Sequence, residues 1–125
     1  MAVAVDSSTL IAYIQGDARA DVTRLERAIM TSEILLPPVV VSEVLSDPGL
    51  PDTHKALIAN LRVLEIGDGY WQRAGELRAG LLTRKLKARL ADTLVAQSCI
   101  DHDVPLIAGD GDFRHFEKYC GLKLA

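Results

Sequence analysis

Aromatic residues are scarce in this chain: one Trp, three Tyr and two Phe make up 5% of its 125 residues. Aliphatic side chains must therefore fill its core. Cysteine is nearly missing too. Cys99 and Cys120 form no CxxC pair and no Cys/His zinc spacing. Cys99 lies in an apolar helical stretch, the ordinary place for a small buried thiol, and a reducing compartment without a disulfide is expected. No apolar run approaches the roughly 20 residues of a membrane span. The first run has no basic flank and meets an acid at Asp6, so no signal peptide is read and a cytoplasmic protein is expected. Also missing are a P-loop, a GxGxxG turn after the first strand and a GxSxG elbow. An aspartyl phosphatase would need a second Asp where Ser8 stands. His54, His102 and His115 are scattered, which gives a zinc site little support. Neither charge sign dominates: 14 basic and 17 acidic residues leave a net −3, which argues against a non-specific polyanion binder.

What the chain does contain is an alternation of short apolar strands and helical stretches. The length fits one domain, residues 1–125. Val3–Val5 reads as a buried strand, and Asp6-Ser7-Ser8 as the start of a helix over Thr9–Gln15. Val22, Leu25, Ala28 and Ile29 set a helix over 20–31. Ile34-Leu35-Leu36 is a strand stopped by Pro37-Pro38, and Pro38 opens a helix to Leu45. A second short helix covers Asp52–Asn60, and Leu61–Ile66 reads as a strand. An amphipathic helix over Tyr70–Leu82 carries Trp71, Ala74, Leu77, Leu81 and Leu82. Leu86 and Leu90 open the next helix, through Cys99 and Ile100. Leu106-Ile107-Ala108 is a strand, Gly109–Phe113 leads into a short helix, and Leu122–Leu124 is an edge strand. This order predicts an α/β fold with a mostly parallel central sheet of four to five strands and helices on both faces. Ligands of such sheets bind beyond the carboxyl ends of the strands, near a switch in strand order.

Four acids fall where that rule puts chemistry: Asp6, Glu43, Asp92 and Asp110. Asp6 closes the first strand and Asp110 follows the last one, while Glu43 and Asp92 interrupt apolar helical stretches. Each has an ordinary reading as well. Asp6 could be only an N-cap, and Asp110 with Asp112 could form a plain turn. Glu43 could be solvated, although Val39, Val40, Val44 and Leu45 surround it. Asp92 is a poor mid-helix residue. Desolvated acids that converge need a cation or shared protons, and a hard divalent ion bound through oxygen is the economical reading. The run Arg84-Lys85-Leu86-Lys87-Ala88-Arg89 is either a solvated helix face or a set of phosphate contacts beside Asp92.

The ordered set resembles the PIN-domain ribonucleases, in particular VapC-type toxins of toxin–antitoxin pairs, over nearly the whole chain. Val3-Ala4-Val5-Asp6-Ser7-Ser8-Thr9 is similar to the family's opening strand, first acid and polar turn. Pro38–Val44 is similar to the segment of the second acid, and Ala91-Asp92-Thr93-Leu94-Val95-Ala96 to the helix of the third. Leu106–Phe113 is similar to the closing block, in which the motif aligns Asp110 as the fourth acid with Asp112 supporting. The family often has Thr or Ser two residues before that acid, where this chain has Ala108.

The resemblance implies a single PIN-like domain and a Mg²⁺- or Mn²⁺-dependent endoribonuclease, the toxin of a type II pair, that hydrolyses RNA with a metal-activated water. Asp6 and Asp92 would be the central ligands and Glu43 and Asp110 would complete the site. Ser8 would hold a carboxylate, and Arg84, Lys85, Lys87 and Arg89 are candidate RNA contacts. The implied partners are RNA, a cognate antitoxin and a second copy in a homodimer. Two other readings stand beside it: a catalytically weak PIN-like module that binds RNA or protein, with Ala108 as its trace, and a metal-dependent phosphatase of small substrates.

Overall fold

The central strand of the sheet has no solvated face. Strand β1 (Ala2–Val5) carries Val3, Ala4 and Val5, all buried. Successive side chains of a strand point to opposite faces, so both faces of β1 are covered. The computed structural model describes every residue except Asp110. Strand β2 (Glu33–Leu36) pairs with β1 in parallel, Val3 beside Ile34 and Ala4 beside Leu35. Strand β3 (Arg62–Val63) follows β2, and strand β4 (Leu106–Ile107) lies on the other side of β1, with Val5 beside Ile107. The order is β3-β2-β1-β4, all parallel. The chain therefore builds outward from β1 in one direction and returns to its other side for β4. The switch in strand order lies between β1 and β4.

The helices are α1 (Ser7–Gln15), α2 (Ala20–Thr31), α3 (Pro38–Leu45), α4 (Asp52–Ala59), α5 (Tyr70–Thr83), α6 (Leu90–His102) and α7 (Arg114–Cys120). Pro38 sits in the first turn of α3, where its missing N–H costs nothing. Gly16 and Gly121 take positive φ just past α1 and α7 and let those helices stop. The core is aliphatic, as the composition requires: Val5, Leu10, Leu25, Leu36, Val40, Val95 and Leu106 are buried, with Phe113 and Phe116 as its aromatic members.

Four expectations need correction. The strand expected over Leu61–Ile66 pairs only at Arg62–Val63. It is an edge strand; Val63 and, beyond it, Ile66 stay exposed, while Leu64 is buried and Leu61 packs partly buried against the core. Trp71 was expected on the buried face of α5 but is 59% exposed, and Leu82 is exposed as well. The buried stripe runs through Tyr70, Ala74 and Leu81, because Tyr70 can bury its ring and still donate its hydroxyl to the Leu94 carbonyl at 2.6 Å. Trp71 stands edge-on to Tyr70 at 5.0 Å. Leu86 does not open α6: residues 86–89 are irregular. Lys85 turns the chain with φ 60°, Arg78 Nε holds the Ala88 carbonyl at 2.8 Å, and Leu90 at the helix start is exposed. The i, i+4 leucine pair therefore spans a loop rather than a helical face. Lastly, Leu122–Leu124 supplies an isolated bridge, Leu124 to Leu106, rather than a strand.

Leu106, fully buried on β4, and Trp71 make a contrasting pair. Leu106→Ala should cost about 2–5 kcal/mol through lost burial and an unfilled cavity. Trp71→Ala should stay within about 0.5 kcal/mol. Urea unfolding of both variants measures the difference.

Candidate functional site

Asp6 lies at the C-terminal end of the central strand and is 6% exposed. Its position is fixed by the main chain: its N–H donates to the Ile107 carbonyl at 3.0 Å, and its own carbonyl accepts from Leu10 N–H at 3.1 Å. It occupies the N-cap position of α1, but its side chain makes no cap bond. Ser8 Oγ instead donates to Asp6 Oδ2 at 3.0 Å. Ser7, which the sequence reading passed over, does the same for Glu43: its Oγ donates to Oε1 at 3.0 Å. Helix α3 buries Val40 and Val44, and Glu43 lies off that face, exposed. The apolar neighbours in sequence do not cover it, because a helix turns about 100° per residue.

Asp92 sits in the first turn of α6 and is partly buried. Its carboxyl is pushed up to about 6, first by burial, then by the negative charges of Asp6, Asp112 and Glu43, with Arg89 acting against the rise. Burial also raises Asp6, helped by Glu43 and opposed by the hydrogen bond from Ser8 and the amides of Ser7 and Ser8. Four acids from α1's start, α3, α6 and the turn before α7 therefore share one electrostatic neighbourhood. Asp110, the remaining expected member, lies outside the described residues. Cys99 also feels Asp6. Burial and that charge push its thiol up to about 12, so it stays protonated and is no nucleophile.

Among the described residues no group of three or more acidic, His or Cys side chains is arranged to hold a metal ion. The acids nevertheless offer only oxygen donors, and Mg²⁺ takes one or two carboxylates and keeps several waters. Asp6 and Asp92 fit that demand.

Beside Asp92 opens a cleft of about 230 Å³ lined by Lys87, Arg89, Asp92, Asp112, Arg114 and His115. It divides the basic run. Lys87 and Arg89 face the cleft, Arg84 stacks on the Tyr119 ring at 4.4 Å, and Lys85 serves the turn. None of the four lies on a helix, so the reading of that run as a solvated helix face does not hold. Arg114 and His115 were not foreseen. They belong to α7, and only the tertiary fold brings that helix to α6.

A second network also escaped the sequence reading. Asp21, 3% exposed, accepts from Thr9 Oγ1 at 2.7 Å, from Arg19 Nε at 3.0 Å and from Arg19 Nη2 at 2.6 Å. Burial works to raise its pKa, but the bonds from Arg19 and Thr9 prevail and hold it below the usual carboxylate value.

The raised pKa of Asp92 sets a pH dependence. A carboxyl whose folded pKa lies above its unfolded value binds its proton more tightly when folded. Its favourable contribution is therefore present at low pH and is lost as pH rises from about 4 to about 6. The full shift would correspond to about 3 kcal/mol, and solvent screening of a partly exposed group reduces this to about 1 kcal/mol. Asp92→Asn should raise Tm by about 4 °C at pH 7.5 without metal, and the gain should vanish near pH 4. Thermal melts across that range measure it.

Comparison with known proteins follows the same lines. The chain is similar to VapBC2 from Rickettsia felis, solved bound to a DNA fragment from its promoter, with 17% identity, a TM-score of 0.78, and 100% of this chain and 98% of that one covered. It is also similar to VapBC-5 from Mycobacterium tuberculosis, a member of the VapBC family of toxin–antitoxin systems, with 16% identity, a TM-score of 0.70, and 98% and 96% covered. Comparison with curated proteins gives no match. The model of the PIN domain family matches residues 3–119. With that match spanning nearly the whole chain, and with its acids gathered around the switch point of a parallel sheet, the chain belongs to the PIN domain family.

Proposed function

We propose that this protein is a Mg²⁺- or Mn²⁺-dependent endoribonuclease, the toxin of a type II toxin–antitoxin pair. One observation carries the reading: the carboxyls of Asp6, Glu43 and Asp112 all act on Asp92 at the strand-order switch, beside a cationic cleft. A cluster of acids in which Asp6 is buried and Asp92 partly buried is costly to keep ionised without a cation. A phosphodiester is also an anion, so a lone acidic cluster would repel it, and the cleft offsets that repulsion. Family membership supports nuclease chemistry.

Asp6 and Asp92 would hold the ion, with Glu43 and Asp110 completing the site. Bound there, a hard divalent cation supplies positive charge that neutralises the scissile phosphate and acidifies water. Ser8 takes up part of Asp6 Oδ2 and fixes that carboxylate's plane, and Ser7 fixes Glu43. Lys87, Arg89 and Arg114 would pair with phosphates flanking the cut. Hydrolysis places the water oxygen on phosphorus, breaks the ester P–O bond and leaves a proton on the departing oxygen. A cognate antitoxin is the protein partner. An apolar groove of about 360 Å³ lined by Leu10, Tyr13, Ile29, Ile34, Leu57 and Leu61 offers it a surface, and Ile29 and Leu57 are exposed there. The assembled toxin is a homodimer, and the compartment is the cytoplasm.

Asp6→Asn keeps the shape and removes one negative donor. It should abolish Mg²⁺-dependent RNA cleavage, by about a hundredfold or more, and relieve growth arrest on induced expression. RNA end-mapping beside growth curves tests this. Cleavage by the wild type that survives EDTA, or equal toxicity of the two proteins, defeats the reading. Replacing Lys87, Arg89 and Arg114 together with Gln should weaken RNA binding and lower its salt slope by about 2–3, measured by binding titrations at several salt concentrations. An unchanged slope removes these residues from the RNA path.

A further inference from the structure

Phosphodiester hydrolysis leaves an alkoxide unless a proton reaches the departing oxygen as the P–O bond breaks. The acids of the candidate metal site are poorly suited to bring it. A carboxylate that binds a cation gives up its proton, and that holds for Asp92 despite its raised pKa. Asp112 acts on Asp92 as a negative charge and has no proton to give either. The cleft beside them carries other groups. Lysine and arginine side chains keep their protons far above neutral pH, so Lys87, Arg89 and Arg114 suit phosphate binding rather than proton donation. Among the described residues on the cleft walls, His115 remains. Histidine is the side chain whose charge changes between about pH 5 and pH 8.

The fold presents His115 to that cleft. Phe113 and Phe116 are buried and anchor the start of α7 in the core. The two residues between them, Arg114 and His115, line the cleft. His115 is partly exposed, and no hydrogen bond to another described residue engages its ring. The cleft holds about 230 Å³, the space of roughly eight waters. A phosphate seated there stands close to every group on the walls. Lys87 and Arg89 face it from the loop before α6, Asp92 from α6, Asp112 from the turn before α7 and Arg114 from α7 itself. Arg84, just past α5, is taken up by the Tyr119 ring instead. A bound phosphate adds the anion that favours a protonated ring.

We propose that His115 is a catalytic residue, the general acid of RNA cleavage. The inference rests on the endoribonuclease reading above. A ring N–H of the charged imidazole donates to the departing ribose oxygen. The water oxygen bonds to phosphorus, and the P–O ester bond breaks with its electron pair staying on the departing oxygen. The proton from the ring turns that oxygen into a hydroxyl. The attacking water gives its own proton to solvent, and the neutral ring takes one back from solvent before the next turnover.

The test is single-turnover RNA cleavage by the full chain with Mg²⁺, followed across about pH 6 to 9. His115→Gln should lower the rate about a hundredfold or more, with RNA affinity changed far less. Wild-type rates should fall on the alkaline side as the ring loses its proton, and the variant should lack that fall. RNA with sulfur in place of the departing oxygen gives the decisive measurement, because a thiolate is far less basic than an alkoxide and leaves without a proton. The variant should cut that RNA at close to the wild-type rate, and the wild type itself should lose its alkaline fall. The wild-type measurement decides the matter if His115→Gln fails to fold. An equal loss on the oxygen and sulfur substrates makes His115 a structural or binding residue and overturns this inference alone. A wild-type rate in the variant on ordinary RNA does the same. A wild type that cuts no RNA overturns the endoribonuclease reading, and this inference falls with it.

Discussion

A carboxylate almost without solvent at the end of a central strand is the constraint on which the rest of this structure depends. Asp6 follows Val5 directly, and Val5 is fully buried between two strands and two helical layers. The chain has no freedom to carry Asp6 elsewhere, because its N–H is fixed to Ile107 and its carbonyl opens α1. Its charge must therefore be managed in place. Ser8 does part of this with one hydrogen bond, and the first amides of α1 do more. The remaining imbalance passes to Asp92, whose raised pKa records the repulsion of its neighbours as well as its own burial. Nothing in fold stability requires such an arrangement, and apolar or amide side chains would pack there without repulsion.

The surroundings divide the work. On one side, Ser7 and Ser8 hold Glu43 and Asp6 with neutral hydroxyls, which orient the carboxylates and leave their charge intact. On the other, Lys87, Arg89 and Arg114 line the cleft beside Asp92 and Asp112. Farther back, Arg19 and Thr9 donate to Asp21, and those bonds hold its carboxyl below the usual carboxylate value. Under the proposed function, the acids around Asp92 are the place for a cation and the cleft beside them the place for a phosphate.

Much of the fold was legible because it is local. The run Val3–Val5, the Pro37-Pro38 stop and the apolar spacing of α2 are each set by a few neighbouring residues, and the structure keeps them. The misreadings arose where a local pattern was satisfied by distant groups. Leu86 and Leu90 have helical spacing, but Arg78 captures the Ala88 carbonyl and the chain between stays irregular. Trp71 looked like a core residue until Tyr70 took the buried place, because the Leu94 carbonyl satisfies the Tyr70 hydroxyl there. Val63 and Ile66 have strand character but lie at an edge with little to pack against.

For the site, the sequence alone singled out the candidate acids and the elements on which the described ones ride. Asp6 at a strand end and Glu43 and Asp92 on helices follow from apolar pattern and spacing, while Asp110 lies outside the described residues. Only the tertiary structure decided how those charges are felt. The adjacency of β1 and β4 brings distant segments to one edge, packing of α3 and α6 sets how strongly Glu43 and Asp6 act on Asp92, and α7 adds Arg114 and His115 to the cleft. Glu43 shows the difference most plainly. Its apolar sequence neighbours suggested burial, yet the helix turns them inward and leaves the carboxylate exposed to Ser7. The physical reason is range: secondary structure answers to residues a few positions away, whereas electrostatic coupling answers to distance in space, which the topology of the sheet alone sets.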